Sequence, residues 1–298
     1  MYQPLVENVN HLLSNEQNGH KVVFSSLSDY YQPVQSQGFA IKYVINGIER
    51  YTLNGQKYPV ETGKYLLSNS THHGHVEIES RQHVKSICIN LVPSLLAEIV
   101  ASHLRPDTAY SDLALGQFFS SYHFLENQYE AKYTRVGQLL IGLESSIQIN
   151  GFGDTDWTLD FFYALSESLI ADQLPVFRQL QAIPSIKSAT KKDLLKRIFR
   201  GKELMDSCFA LPLSIELIAQ EACLSEYHFF RLFKSVFGTT PHQYLIQKRL
   251  ERAHGLLQKE RSSVSMAAIE SGFTDIFTFS KAFKKQFGHA PSAISKQI

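Results

Sequence analysis

The chain contains an internal repeat. Ser214–Pro241, SIELIAQEACLSEYHFFRLFKSVFGTTP, parallels Ser263–Pro291, SVSMAAIESGFTDIFTFSKAFKKQFGHAP, about fifty residues further on. Phe233-Lys234, Phe237-Gly238 and Pro241 recur as Phe283-Lys284, Phe287-Gly288 and Pro291. The offset is 49 residues before an internal turn and 50 after it, so one extra residue enters the second turn, where length varies without disturbing either flanking helix. Whatever supersecondary unit the first copy makes, the second makes too.

Each copy reads as two helices joined by a tight turn. Ser214 can cap a short helix whose apolar stripe is Ile215, Ile218, Ala219 and Ala222, at the spacing of one helix face. Ser225 can cap a longer one with Phe229, Leu232, Phe233 and Phe237 inward, and Gly238 is a natural stop. The opposite face of that longer helix carries Tyr227, Phe230, Arg231 and Lys234; the second copy carries Phe277, Ser280, Lys281 and Lys284. An outward stripe of aromatic and basic side chains suits the major groove of DNA, because Arg or Lys can pair with guanine O6 and N7 while an aromatic ring touches a thymine methyl. One such stripe is as readily an ordinary charged surface; two matched copies are not.

Between the copies, Thr240 and Pro241 can begin a helix with Ile246, Leu250, Ala253, Leu256 and Leu257 inward, running to about Gln258 and spanning about 25–27 Å. Such a strut holds two recognition helices for successive major grooves, about 34 Å apart on one face of a duplex. Charge agrees. The net +1 divides into 17 Lys+Arg against 10 Asp+Glu in residues 190–298, which is +7, and 12 against 18 in residues 1–189, which is −6. A basic domain beside an acidic one places the polyanion contact in the former.

At 298 residues the chain exceeds one ordinary domain. Residues 20–92 read as short strands, KVVFSSL, FAIKYVI, IERYTL, QKYPV, KYLLS, HVEIE and VKSICINLV. Asn46-Gly47 and Asn54-Gly55 sit between such runs and tolerate the positive φ of hairpin turns, which predicts an antiparallel meander closed as a small barrel or sandwich. From Pro93 the period becomes helical through PSLLAEIVASHL, residues 112–147 and, after NGFGDTD, TLDFFYALSESLIADQLPVFRQLQAI. The expected domains are thus residues 1–182, a linker at 183–189 where Pro184 disfavours helix, and residues 190–298 with helix-turn-helix units at about 214–238 and 263–288.

These motifs resemble the AraC/XylS family of bacterial transcription regulators. The likeness is specific over residues 190–298, through IAQEACLS, FFRLFKSVFGTTPHQYL, RLERAHGLL and GFTDIFTFSKAFKKQFGHAP in the family's order and spacing, and loose before that. It implies an α+β protein: an N-terminal cupin-like antiparallel β barrel with following helices, and a C-terminal all-α domain of seven helices. It implies base contacts from Tyr227, Phe230 and Arg231 in the first unit and Ile276, Phe277, Ser280 and Lys281 in the second. Ala267-Ala268 stands where the family's second unit usually has Ile-Ala, and Ile276 and Phe277 are less polar than is common there. The second unit is therefore expected to act more through phosphates or DNA shape. The resemblance also implies a homodimer, RNA polymerase as a partner, and a small-molecule effector at the N-terminal domain, for which Phe39, Tyr43, Tyr51 and His73 are candidate wall residues.

Other chemistries find less support. His72, His73, His75 and Glu79 in THHGHVEIE invite a metal, since His-x-His on a strand points both rings to one face, but the glycines of a metal-cupin signature are absent; a cupin-type metalloenzyme with a DNA-binding tail is the alternative reading. Cys88, Cys208 and Cys223 are widely spaced and form no Cys-x-x-Cys pair. No cofactor and no enzymatic activity are expected, as there is no phosphate-binding glycine loop and no Gly-x-Ser-x-Gly. With no basic-then-apolar leader and no 18-residue apolar run, a cytoplasmic protein without a membrane segment is expected.

Overall fold

The computed structural model describes residues 11–35, 38–103, 118–119, 124–153, 155, 157–184, 187–259 and 262–295. Residues 112–117 and 120–123 of the expected helical stretch, and 185–186 of the expected linker, lie outside them. The chain divides into two compact units, Met1–Phe177 and Arg178–Ile298.

Among the described residues, ten strands build the first unit: β1 (His11–Gln17), β2 (His20–Leu27), β3 (Tyr30–Gln35), β4 (Phe39–Asn46), β5 (Ile48–Leu53), β6 (Gln56–Glu61), β7 (Lys64–Asn69), β8 (His73–Ile78), β9 (Val84–Leu91) and β10 (Asn127–Glu130). They form two antiparallel sheets, ordered β1-β2-β9-β4-β7-β10 and β3-β8-β5-β6. There is no closed barrel among the described residues. Leu27, Val44 and Leu66 from the larger sheet pack against Leu53, Val60 and Val76 from the smaller. The other face of the larger sheet is also covered: Phe24 meets Phe152, His20 stacks on Phe162, and Tyr43 donates to Glu144. These partners come from α2 (Arg135–Asn150), α3 (Leu159–Ala182) and the loop between them, while α1 (Pro93–His103) follows β9.

The meander expectation needs correcting at one turn. Asn54-Gly55 does close a two-residue hairpin, with φ of 49° and 80° and Leu53 opposite Gln56. Asn46-Gly47 instead carries the chain from one sheet to the other. The burial patterns explain this: Phe39–Val44 are buried without alternation, as in a strand covered on both faces, whereas β5 alternates and leaves one face to solvent. A third Asn-Gly pair, Asn18-Gly19, closes the β1–β2 hairpin with Gln17 opposite His20. β10 likewise replaces part of the expected helix. Asn127–Glu130 pairs with Leu67–Lys64 at the edge of the larger sheet, where Tyr129 stacks on Tyr65; cross-strand pairing decides the conformation of a segment too polar to make a helix stripe.

Among the described residues, the second unit holds α4 (Ser188–Cys208), α5 (Ile215–Glu221), α6 (Glu226–Phe237), α7 (Pro241–Lys259), α8 (Val264–Glu270), α9 (Ile276–Phe287) and α10 (Pro291–Ser295), the seven helices expected. The α5–α6 and α8–α9 pairs are the two repeats. α7 has 19 residues and spans roughly 28 Å. Its Leu250, Ala253, Leu256 and Leu257 pack against Ala267, Phe273, Phe279 and Phe283. At the other repeat, a Cβ on Gly201 of α4 would lie 2.5 Å from the Phe229 ring, so glycine lets that ring rest on the helix backbone.

Position 49 residues apart in the two turns, Cys223 and Gly272 both adopt the left-handed conformation, at φ of 51° and 85°. This costs a side-chain-bearing residue roughly 1–2 kcal/mol. A Cβ at Gly272 would also lie 2.7 Å from the Ala210 carbonyl oxygen. Gly272→Ala should therefore destabilise the unit by about 1–3 kcal/mol, whereas Cys223→Gly should leave its stability unchanged or raise it by up to about 1 kcal/mol. Urea denaturation followed by circular dichroism at 222 nm separates the two outcomes.

Candidate nucleic-acid interface

The two longer repeat helices are aimed by what they bury. In α6, Phe229, Leu232, Phe233 and Val236 are buried; in α9, Phe279 and Phe283 are. With 3.6 residues per turn, burial of those positions leaves Tyr227, Phe230, Arg231 and Lys234 outward on α6, all exposed. On α9, Ile276, Phe277, Lys281 and Lys284 are exposed and Ser280 is half-buried. Tyr227 is 71% exposed and Phe277 82%, values unusual for large aromatic side chains in a helix with a complete inner face.

Each helix is held at both ends. Ser214 and Ser225 accept from the backbone N–H groups of Leu217 and His228, so both proposed serine caps are in place. Ser263 does the same for Met266. α9 is capped by Asp275, whose carboxylate accepts from the N–H groups of Phe277 and Thr278 at 3.2 and 2.6 Å. Gly238 and Gly288 end the two helices in the left-handed conformation, donating to Lys234 and Lys284 carbonyls.

Three scaffold contacts were not legible from residue spacing. Arg249 on α7 donates from Nε to the Phe209 carbonyl at 2.7 Å and from Nη2 to that of Leu211 at 2.9 Å, fixing the loop that leads into the first repeat. Arg197 on α4 donates to the Cys223 carbonyl inside the first turn. Asp206 accepts from Lys202 at 2.5 Å and from the Tyr244 hydroxyl at 2.6 Å, with Lys248 at 3.5 Å, tying α4 to the start of α7. Their only sequence mark is a charge on a helix face that otherwise turns toward the core. Lys285, exposed in the last turn of α9, is a further cation on that helix.

Within the outward stripes the two copies differ. Arg231 lies against Tyr227, its guanidinium carbon 5.6 Å from the ring centre and Nη1 donating to the hydroxyl at 3.3 Å. Phe277 and Lys281 occupy the matching positions without such a contact among the described residues.

The four candidate wall residues of the first unit do not share one space. Phe39 packs on Phe119 and Phe124 and Tyr43 on Glu144, both on the helix-covered face. Tyr51 lies between the sheets, and His73 is exposed. His73, His75 and Glu77 share the outward face of β8, where His75 meets the Tyr31 ring, while His72 is buried, accepting at Nδ1 from Asn69 and reaching Glu126 at 2.9 Å from Nε2. No group of three potential metal ligands occurs among the described residues.

A polar cluster between the sheets had no sequence signature. Glu49 accepts from Ser86 and from the Tyr51 hydroxyl, both at 2.6 Å, and Ser86 continues to Ser25. Burial pushes the Glu49 carboxyl above its usual range, opposed by those two hydrogen bonds and by the charge of Lys42. Lys42 is only 5% exposed; its Nζ lies 3.9 Å from Cys88 Sγ and 5.5 Å from the centre of the Tyr51 ring.

Residues 218–297 match the family model described as a helix-turn-helix domain. The chain is 28% identical over 162 residues to the "Probable transcriptional regulator LumQ" of Photobacterium leiognathi, covering 50% of this chain and 65% of that one. It is 31% identical over 97 residues to the Msm operon regulatory protein of Streptococcus mutans, covering 33% and 35%. A solved transcriptional regulator of Chromobacterium violaceum, described as having an AraC-type DNA-binding domain, is 30% identical, with 35% of this chain and 92% of that one covered and a TM-score of 0.33. The chain spans between about a quarter and just under two thirds of the length of the curated relatives it matches.

The carboxylates give this unit an acid limit. Hydrogen bonds from the Thr278 side chain and from the Thr278 and Phe277 backbones hold Asp275 below the ordinary carboxylate range. At Asp206 partial burial works the other way but is outweighed by Lys202, Tyr244 and Lys248, so its carboxyl is lowered too. Groups with a depressed folded-state pKa stabilise fully above their unfolded value, near 4, and lose that contribution as pH falls through the folded value. Unfolding of the C-terminal unit should therefore become easier below about pH 4. Asp275→Asn, which keeps a capping side chain, should flatten part of that dependence in urea titrations between pH 3 and pH 7; an unchanged slope would remove Asp275 from the account.

Proposed function

Because the C-terminal unit of this chain belongs to the AraC/XylS family of helix-turn-helix domains, we propose that the protein is a sequence-specific DNA-binding transcription regulator, and not an enzyme, controlled from its N-terminal unit. The observation that carries this is the duplicated outward stripe, with Tyr227, Phe230, Arg231 and Lys234 on one capped helix and Ile276, Phe277, Ser280, Lys281 and Lys284 on the other. The +7 charge of residues 190–298 supports the same partner, double-stranded DNA.

In this reading the two-sheet N-terminal unit is a cupin-like sensor for a small effector or a protein partner, within residues 1–182, and the homodimer is the working form. Lys42, enclosed between the sheets with no carboxylate within 4 Å among the described residues, supports an effector role for the interior, since a bound anionic group would give it the close partner that Glu49, itself held by Ser86 and Tyr51, does not. Phe39, Tyr43 and His73 face other surroundings, so of the four candidate wall residues Tyr51 is the one such a ligand would meet. An effector shifts occupancy of a promoter by binding two states unequally, by about 1–3 kcal/mol. RNA polymerase is the partner through which promoter occupancy would act. No helix among the described residues is long and apolar enough to cross a membrane, which supports a cytoplasmic place of action.

On a bound operator, Arg231→Ala should cost about 1–3 kcal/mol and relax the preference at one base pair, whereas Lys234→Ala should weaken all sequences similarly and reduce the salt dependence. Quantitative footprinting at two salt concentrations reads both effects. Unchanged binding in both variants would remove α6 from the groove.

A further inference from the structure

We propose that Tyr227 and Arg231 work as one unit that reads a guanine with an adjoining thymine, Arg231 making the base contact and Tyr227 acting as its positioning residue. This rests on the DNA-binding reading above. The two side chains are i and i+4 on α6, both exposed, yet the guanidinium is already engaged by its neighbour: 5.6 Å from the ring centre, with Nη1 donating to the hydroxyl oxygen at 3.3 Å. An exposed arginine otherwise carries rotamer freedom that a base contact must remove. Stacking on the tyrosine removes part of it before DNA arrives.

The chemistry of the pair selects its target. Arginine has five N–H donors and no acceptor, and one donor is spent on the tyrosine oxygen. That hydroxyl, its oxygen occupied, still has its own proton to give. The pair is therefore predominantly a donor. Guanine presents two acceptors in the major groove, N7 and O6, and thymine presents O4 with a methyl group beside it. Adenine N6 and cytosine N4 present donors, which would face donors and go unsatisfied. The Tyr227 ring and Phe230, itself 41% exposed, supply apolar surface for the thymine methyl. The second copy lacks this device: Phe277 has no hydroxyl to accept a hydrogen bond, and the Lys281 ammonium is a point charge rather than a planar fork.

The test uses the full chain. Selection from a random duplex pool gives the preferred site, and fluorescence anisotropy then compares it with duplexes carrying adenine or 7-deazaguanine for the guanine and uracil for the thymine. The wild type should prefer guanine over adenine by about tenfold. Arg231→Ala should abolish that preference. Tyr227→Ala should reduce it at least about threefold, Tyr227→Phe should fall between, and the double variant should lose no more than Arg231→Ala alone. Circular dichroism checks folding, which an exposed side chain does not control. A full guanine preference in Tyr227→Ala, or a selected site in which no guanine depends on Arg231, would overturn the pairing while leaving DNA binding intact. A pool with no enriched sequence would overturn both.

Discussion

The C-terminal unit depends on a run of phenylalanines at helical spacing in each repeat. Phe229, Phe233 and Phe237 stack along α6 with ring centres 5.5 and 4.6 Å apart; Phe279, Phe283 and Phe287 do so along α9 at 5.4 and 4.6 Å. Four of these six are fully buried, each contributing about 2–3 kcal/mol of transfer free energy. That sum is comparable with the whole net stability of a typical domain, about 5–15 kcal/mol. Rotating either helix to bring its outer stripe inward would forfeit it. The direction in which Arg231 and Lys281 point is thus a consequence of what lies beneath them.

Around those rings the scaffold is polar and specific. Arg249, Arg197 and Asp206 each bind backbone or side-chain groups from a different helix or loop, so the turn that sets the angle between α5 and α6 is fastened by directional bonds as well as by packing. The second turn has the extra residue and the glycine instead. Two copies of one pattern therefore bury the same helix face with different local chemistry, and their outward faces have diverged further: a preassembled Tyr–Arg pair on one, an apolar Ile276–Phe277 tip with separate lysines on the other.

The N-terminal unit follows a different rule. Its larger sheet is covered on both faces, which makes β4 apolar without alternation and allows a polar cluster of Glu49, Ser86, Ser25, Tyr51 and Lys42 to be enclosed between the sheets. Hydrogen bonds satisfy most of that cluster, while the short contacts of the Lys42 ammonium among the described residues are a weak sulfur acceptor and an aromatic ring. The two histidines that the strand pattern placed on one face are there, but the face is the outer one. Parity predicts which side chains share a side; it carries no information on which side is buried.

The repeat, the serine caps, the glycine stops and the outward stripes were all determined by the sequence alone, because each depends on spacings of a few residues and on the fixed 3.6-residue turn of the helix. Strand identities between Lys21 and Leu91 were legible for the same reason, except β3, whose short polar run lacks alternation. The Asn18-Gly19 hairpin had a signal of the same kind as Asn54-Gly55. Only the tertiary structure decided that Asn46-Gly47 changes sheets, that residues 127–130 complete an edge, that Phe39 and Tyr43 face helices, and that Arg231 is already held by Tyr227. Those outcomes depend on what stands opposite a residue across tens of positions of chain, and no local period encodes that.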